Sequence, residues 1–284
     1  MQGLALDWKR FVSDRHIDFL KFERDTVKEF APGAKFTVNM MYRFDGIDYF
    51  KMSKEIDIAS WDNYPTWHKP SETVEETALD TALMHDLYYS MKGRPFLPDG
   101  IQPQLYQLAA DLQTEAPRHC GACGSADGCT WFGQCALLPV ASQPRRGRKF
   151  HGAVVGHDGR EDARPFRETV GVGQKLEVLS EIATVCREKQ AAIVHDWENK
   201  WALEGSCGPR NAGMGYWDEL KLHYNALARE GIAVEFVNQE SDLTGYGLVV
   251  VPMVYLLTDA FAQNSVICPE WWYGRGYILD RCGG

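Results

Sequence analysis

Short apolar runs alternate with helix-patterned segments along most of this 284-residue chain, and that alternation restricts its fold more than any other feature. Residues 4–30 place Trp8, Phe11, Val12, Phe19, Phe22, Val27 and Phe30 at roughly three-to-four spacing, and Pro32-Gly33 ends the helix they predict. Residues 36–42 follow as a strand, 46–55 as a short helix, and 56–65 as a second strand with polar and aromatic groups at its C-terminal end. Residues 72–91 predict another helix, opened by Thr73 and Glu76 at capping-box spacing and closed near Gly93. Strand, helix, strand, helix is the order of a parallel α/β sheet. The pattern resumes later. Residues 164–188 read as a helix with Leu176, Leu179, Ile182 and Val185 on one face, and 191–194 as a strand. Residues 214–230 read as a helix closed by Gly231, and 232–237 and 248–255 as strands. This second, smaller α/β unit has the continuous apolar strands of a sheet buried on both faces.

Residues 97–143 break the alternation. The stretch holds five charged residues (Asp99, Asp111, Glu115, Arg118, Asp127), no lysine and neither helical nor strand periodicity. It ends in the basic run Arg145-Arg-Gly-Arg-Lys149, most simply a solvated segment. Four of the chain's 8 cysteines (Cys120, Cys123, Cys129, Cys135) also fall in it. A net charge of −9 argues against a broad nucleic-acid surface. No apolar run approaches the roughly 18 residues of a membrane span. The first ten residues lack a basic segment followed by an apolar core, so no signal peptide is expected and the expected location is cytoplasmic.

Three motifs are distinctive: Trp61-Asp-Asn-Tyr-Pro-Thr-Trp-His68, Phe150-His-Gly-Ala-Val-Val-Gly-His-Asp158 and His195-Asp-Trp-Glu-Asn-Lys-Trp201. In this order and at these distances the chain resembles the family 42 glycoside hydrolases, which are β-galactosidases. The resemblance covers 1–96 and 149–263. It implies an α/β fold: the C-terminal part of a (β/α)8 TIM barrel over about 1–165, then a Rossmann-like, glutamine-amidotransferase-like trimerisation domain over about 189–284. It implies hydrolysis of terminal β-galactosides with retention, no cofactor, and a homotrimer for the parent enzyme.

Retention requires an acid/base and a nucleophilic carboxylate about 5–5.5 Å apart. The family's acid/base sits in an Asn-Glu-Tyr motif, which the resemblance places upstream of Met1. Its nucleophile sits in Leu-Met-Glu-Ser-x-Pro-Ser, just after a strand matching 93–96. This chain reads Leu97-Pro-Asp-Gly-Ile-Gln-Pro-Gln104 there, so the nucleophile position falls at Gly100 and Ile101 and no catalytic residue is assigned. A one-base shift of frame within 97–104 can spell Leu-Met-Glu-Ser-x-Pro. The same shift can make 130–135 read His-Gly-Ser-Asp-Ser-Val, like the family's last barrel strand, and 268–274 read as a turn and a strand. The expectation is that about 97–145 and 264–284 are out-of-frame translations, leaving an inactive fragment. The alternative is a non-catalytic oligomerisation or zinc-binding interaction module.

Several residues carry two readings. Tyr64, Trp61 and Asp62 stand where strand ends of such a barrel contact substrate, and aromatic faces and carboxylates suit a sugar. The alternative is a core aromatic cluster with a Tyr-Pro turn. By resemblance His151 contacts a galactose hydroxyl; otherwise it is a loop histidine. The Cys120-x2-Cys123-x5-Cys129-x5-Cys135 spacing is too wide in its second half for a typical zinc ribbon, and no metal site is assigned. His195 and Glu198 belong by resemblance to the trimerisation domain, where packing or subunit contact is the better reading than acid–base chemistry. No nucleophile-elbow cysteine is present in that domain.

Overall fold

The fold is that of a computed structural model, which describes residues 2–63, 65, 71–94, 96–99, 154–179, 188, 190–206, 215–265, 271–272 and 277–280. Helix α1 (Gln2–Phe30) leads to strand β1 (Asn39–Met41), helix α2 (Tyr49–Ser53), strand β2 (Ser60–Asp62), helix α3 (Val74–Ser90) and strand β3 (Leu97–Asp99). The three strands form a parallel sheet in the order β1-β2-β3. Its register aligns Met40, Trp61 and Pro98 in one row and Met41, Asp62 and Asp99 in the next.

After helix α4 (Arg164–Leu179) the chain builds a second sheet from β4 (Ala191–Val194), β5 (Val234–Val237), β6 (Leu248–Val251), β7 (Trp271–Trp272) and β8 (Tyr277–Asp280). Helices α5 (Trp197–Glu204) and α6 (Tyr216–Arg229) lie between β4 and β5, and α7 (Asp259–Ser265) follows β6. The strand order is β5-β4-β6-β8-β7. The first three strands are parallel, as their apolar sequences predict, but β8 pairs antiparallel with both β6 and β7. The sheet is therefore mixed, with an antiparallel pair added at one edge in residues that carry no alternating pattern. Among the described residues no helix is long and apolar enough to cross a membrane.

Local signals act where expected. The Thr73 hydroxyl accepts from Glu76 N while the Glu76 carboxylate accepts from Thr73 N, so two otherwise unpaired N–H groups of the first turn of α3 are satisfied. Gly93 (φ 60°) and Gly231 (φ 72°) take the left-handed conformation just beyond α3 and α6, where a Cβ would be strained. Helix α5 was not signalled by periodicity because it spans only 8 residues; the Asp196 side chain caps it by accepting from Asn199 N at 2.8 Å.

Helix α3 decides how the two sheets sit. Thr77, Thr81 and every residue from Leu83 to Tyr89 are buried, so the helix has no wet face along its second half. On one side Tyr88 stacks on Trp61 with ring centroids 5.3 Å apart, and His85 meets Phe96 at 5.3 Å. On the other side α3 packs on β5 and α6. There Tyr224 Oη donates to Asp86 Oδ2 (2.7 Å) and Phe236 N donates to Ser90 Oγ (2.8 Å). One hydrophobic core consequently runs from Met40 and Trp61 through Leu83 and Leu87 to Ile193 and Phe236. A second cluster (Ala192, Val194, Val249, Val251, Phe261) covers the far face of the second sheet. Helix α5 adds two indole hydrogen bonds across the join: Trp197 Nε1 to Phe44 O (3.3 Å) and Trp201 Nε1 to Asp45 O (2.7 Å).

Helix α1 differs from its reading as a simple amphipathic helix. It buries Ser13, Ile17 and Leu20. The aromatic positions that define its apolar pattern point outward, with Trp8 63%, Phe19 60% and Phe22 67% exposed.

Tyr224→Phe removes the hydroxyl partner of the buried Asp86 carboxylate while keeping the ring stacked on Phe236. It is expected to lower unfolding free energy by about 1.5–3 kcal/mol in urea titrations. Lys54→Ala breaks only the exposed pair with Glu240 and is expected to change stability by less than about 0.5 kcal/mol.

Candidate functional site

Because β1, β2 and β3 are parallel, their C-terminal ends converge on one edge of the first sheet. Pleating sends alternate side chains to opposite faces. Met40 and Trp61 face the helices and are each 1% exposed. Asn39 and Met41 lie on the other face, which is open, and Asp62 is half-buried. Asn39 Nδ2 donates to Asp62 Oδ2 at 3.1 Å, fixing that carboxylate beside the strand ends.

Behind this edge stands an aromatic layer. Trp61 lies flat on Tyr88 (2° between planes), edge-on to His85 at 5.4 Å and tilted against Tyr42 at 6.3 Å. Its Nε1 is buried and has no hydrogen-bond partner among the described residues. Asn63 Nδ2 donates to His85 Nε2 at 3.3 Å, which requires that ring nitrogen to be unprotonated. Burial holds the His85 pKa down at about 3, in keeping with that role as acceptor. Met41 N donates to Tyr49 Oη (3.0 Å), and burial raises the Tyr49 pKa to about 12.

The residues just beyond β1 form a charged cluster that sequence reasoning did not single out. Asp80 of α3 pairs with Arg43 and accepts from the Tyr42 hydroxyl, and Lys221 Nζ of α6 lies 3.2 Å from it. Arg43 also sits over the rings of Tyr42 (4.8 Å) and Trp217 (5.1 Å). Burial opposes ionisation of Asp80, but the Arg43 charge, the Tyr42 hydroxyl and Lys221 together hold its pKa below the ordinary value. A basic residue directly after a strand that carries polar groups at its end was the one available signal.

The expected contacts divide. Trp61 is placed in the core beneath the strand ends, on the helix side. Asp62 is placed on the open side. Tyr64 and His151 lie outside the described residues, as do Gly100 and Ile101 and all 8 cysteines. Among the described residues no group of three His, Cys, Asp or Glu side chains has the geometry to hold a metal ion.

In the second sheet His195 follows β4 and is fully buried. Its ring lies 4.1 Å from Trp197 and 4.7 Å from Trp217, and its Nδ1 lies 3.2 Å from Tyr216 Oη. Burial, with smaller help from Lys200 and Arg43, holds its pKa at about 3. Glu198 pairs with Arg10 of α1. Both residues are occupied in packing within the chain. Met253 takes φ 53° just after β6, a strained turn for a non-glycine residue, and its thioether offers no nucleophile.

Sequence models of known families match in the same order. Residues 1–179 match the beta-galactosidase model of glycoside hydrolase family 42, and 189–266 match the beta-galactosidase trimerisation domain. This chain belongs to glycoside hydrolase family 42. Among family 42 relatives, Beta-galactosidase BglY of Alicyclobacillus acidocaldarius is 37% identical over 274 residues, covering 93% of this chain and 38% of the relative. Beta-galactosidase GalA of Bacillus licheniformis is 36% identical over 281 residues, covering 93% of this chain and 41% of the relative. A catalytic mutant of Gan42B, a GH42 beta-galactosidase from G. stearothermophilus, superposes with a TM-score of 0.88 at 33% identity, covering 93% of this chain and 40% of that chain. This family 42 chain thus spans about two-fifths of the length of these relatives.

The buried groups predict a defined pH response. His85 and His195 are neutral in the fold down to about pH 3, whereas in the unfolded chain each takes up a proton below its ordinary value near 6.5. Both therefore make stability fall as pH drops below about 6.5. Asp48 acts in the opposite sense. Burial, reinforced by the Asp196 charge, raises its pKa to about 6, so the fold binds a proton there that the unfolded chain does not. Between about pH 6 and 4 these three groups together contribute a net difference of one proton, about 1.4 kcal/mol per pH unit. Asp48→Asn keeps a side chain that caps α2 but removes the titration, and the slope is expected to steepen by about 1.4 kcal/mol per pH unit. Urea midpoints from pH 7 to 4 measure both; equal slopes for the two proteins would refute the assignment.

Proposed function

We propose that this chain is the later part of a retaining β-galactosidase that cleaves terminal β-galactosides. In this reading about 1–165 form part of a (β/α)8 barrel, and about 189–284 form an amidotransferase-like trimerisation domain, placing the parent enzyme in a homotrimer. The observation that carries the reading is the parallel edge β1-β2-β3, with Asn39 and Asp62 on its open face, inside the segment matched to the family. Active sites of such barrels collect at the C-terminal ends of the strands. Asp62, oriented by Asn39, accepts from a sugar hydroxyl, and Tyr64 and His151 complete the sugar contacts. Trp61, from beneath, positions the strand end that carries them. A cytoplasmic location and the absence of a cofactor go with this reading.

In this reading the acid/base carboxylate belongs to a part of the enzyme outside residues 1–284 and the nucleophile is replaced. The nucleophile position falls at Gly100 and Ile101, within the out-of-frame stretch about 97–145. A second out-of-frame stretch covers about 264–284; the match to the trimerisation family ends at residue 266, beside that boundary, which supports the reading. Loss of acid–base assistance alone costs roughly 10²–10⁴-fold, and loss of the nucleophile removes the covalent route.

The chain is expected to hydrolyse a chromogenic β-galactoside no faster than a buffer blank. The gene read in the restored frame, with its upstream coding sequence, is expected to turn the same substrate over. Turnover by the chain itself, or a parent DNA without Leu-Met-Glu-Ser codons in the shifted frame, would overturn the assignment.

A further inference from the structure

Residues 42–48 connect β1 to α2 and leave the C-terminal end of β1, on the edge where Asp62 stands. The two halves of this loop are held by different parts of the chain. Its first half is tied to α3: Tyr42 and Arg43 bind Asp80, and Tyr88 Oη donates to Tyr42 O at 3.1 Å. Its second half is tied to the second unit. Among the described residues, every hydrogen bond and ion pair that 44–46 receive from another helix comes from α5. Trp197 and Trp201 stand one turn apart on that helix, so their indoles leave the same face. Both are buried, and their N–H groups donate to two consecutive carbonyls, Phe44 O at 3.3 Å and Asp45 O at 2.7 Å. Lys200, 2% exposed, pairs with the Asp45 side chain between them. A join that needed only apolar cover would be filled as well by side chains without donors. Each carbonyl direction fixes the plane of its peptide group, so the two indoles set the course of the backbone through Phe44 and Asp45.

Phe44 is the residue whose placement this decides. Trp197 holds its carbonyl, and its own N–H donates to Met41 O at 3.0 Å. Its ring lies over Gly46, where a Cβ would stand 2.5 Å from Phe44 Cε1. The ring is nonetheless 44% exposed. An aromatic side chain held at its backbone and along its ring, yet left accessible, loses little conformational freedom when a ligand covers it. It belongs to the loop that leaves the strand ends carrying Asn39 and Asp62, and an aromatic face suits the C–H face of a sugar.

We propose that Phe44 is a substrate contact of the sugar site and that Trp197, Lys200 and Trp201 are positioning residues for it, so that the second unit shapes the site within the same chain. The proposal rests on the reading of residues 1–165 as part of a β-galactosidase barrel. Phe44 acts on binding rather than on bond cleavage, because it carries no group that can donate, accept or attack. The three α5 residues act only through the loop.

Trp197→Phe combined with Trp201→Phe keeps two rings in the join and removes both donors. In the 284-residue chain, hydrogen exchange of the Phe44 and Asp48 amides, which donate to Met41 O and Ser13 Oγ, is expected to quicken at least about tenfold while the α3 amides keep their protection. In the enzyme made from the restored frame with its upstream coding sequence, Phe44→Ala is expected to raise KM for a chromogenic β-galactoside at least about fivefold and to leave kcat within about twofold. The paired indole variant is expected to raise KM by less, as is Gly46→Ala, which displaces the Phe44 ring without touching α5. Leu222→Ser, an exposed apolar residue on α6, is expected to leave both constants unchanged. Unchanged exchange in the indole variant, or a KM unmoved by Phe44→Ala in an enzyme that turns over, would overturn the proposal alone. An unmodified restored enzyme without turnover would overturn the galactosidase reading, and the proposal with it.

Discussion

The burial of α3 from both sides is the constraint on which the rest of the structure depends. From Leu83 to Tyr89 no residue of this helix reaches water freely, so neither sheet can be removed without exposing it. Trp61 and Phe96 press on it from the first unit, and Phe236 of β5 and Tyr224 of α6 from the second. The two α/β units consequently share one core rather than meeting at a thin polar interface. Polar groups trapped there are satisfied across the join, as Asp86 is by Tyr224 and the Trp201 indole is by Asp45 O.

That shared core also sets the chemistry of the strand ends. The side chains in front of it are polar and accessible, while those behind are aromatic and dry. His85 is kept neutral by burial and accepts from Asn63, and Asp80 is kept charged by Arg43 and Lys221. Through Lys221 and Trp217 the second unit reaches the residues that follow β1, so helix α6 helps to hold the edge of the first sheet.

Much of this order was legible along the chain. The capping box at Thr73 and Glu76, the helix stops at Gly93 and Gly231, and the apolar strands 191–194 and 248–251 are local signals, and local signals survive into the fold. The three motifs pointed to the family before any coordinates. The antiparallel pair β7 and β8 and the short α5 were not legible, because neither has enough residues to establish a period. The role of Trp61 was undecided for a different reason. An aromatic at a strand end suits a sugar or a core equally, and only the pleat selects the face; its partner Tyr88 lies 27 residues away. Arg43 and Asp80 went unnoticed because they come from separate elements and meet only when α3 folds back along the sheet.

Sequence alone determined the identity and order of the elements, because hydrophobic period, caps and turn residues act between neighbours a few positions apart. It also determined that the stretch in which the alternation fails holds half of the cysteines. Tertiary structure alone decided which faces are dry. Helix α1 carries the clearer apolar pattern along the sequence, yet it displays its rings to solvent while α3 ends buried between two sheets. Period reports that a helix has an apolar surface; whether that surface is covered depends on what else the chain brings against it, and that is a property of packing at long range.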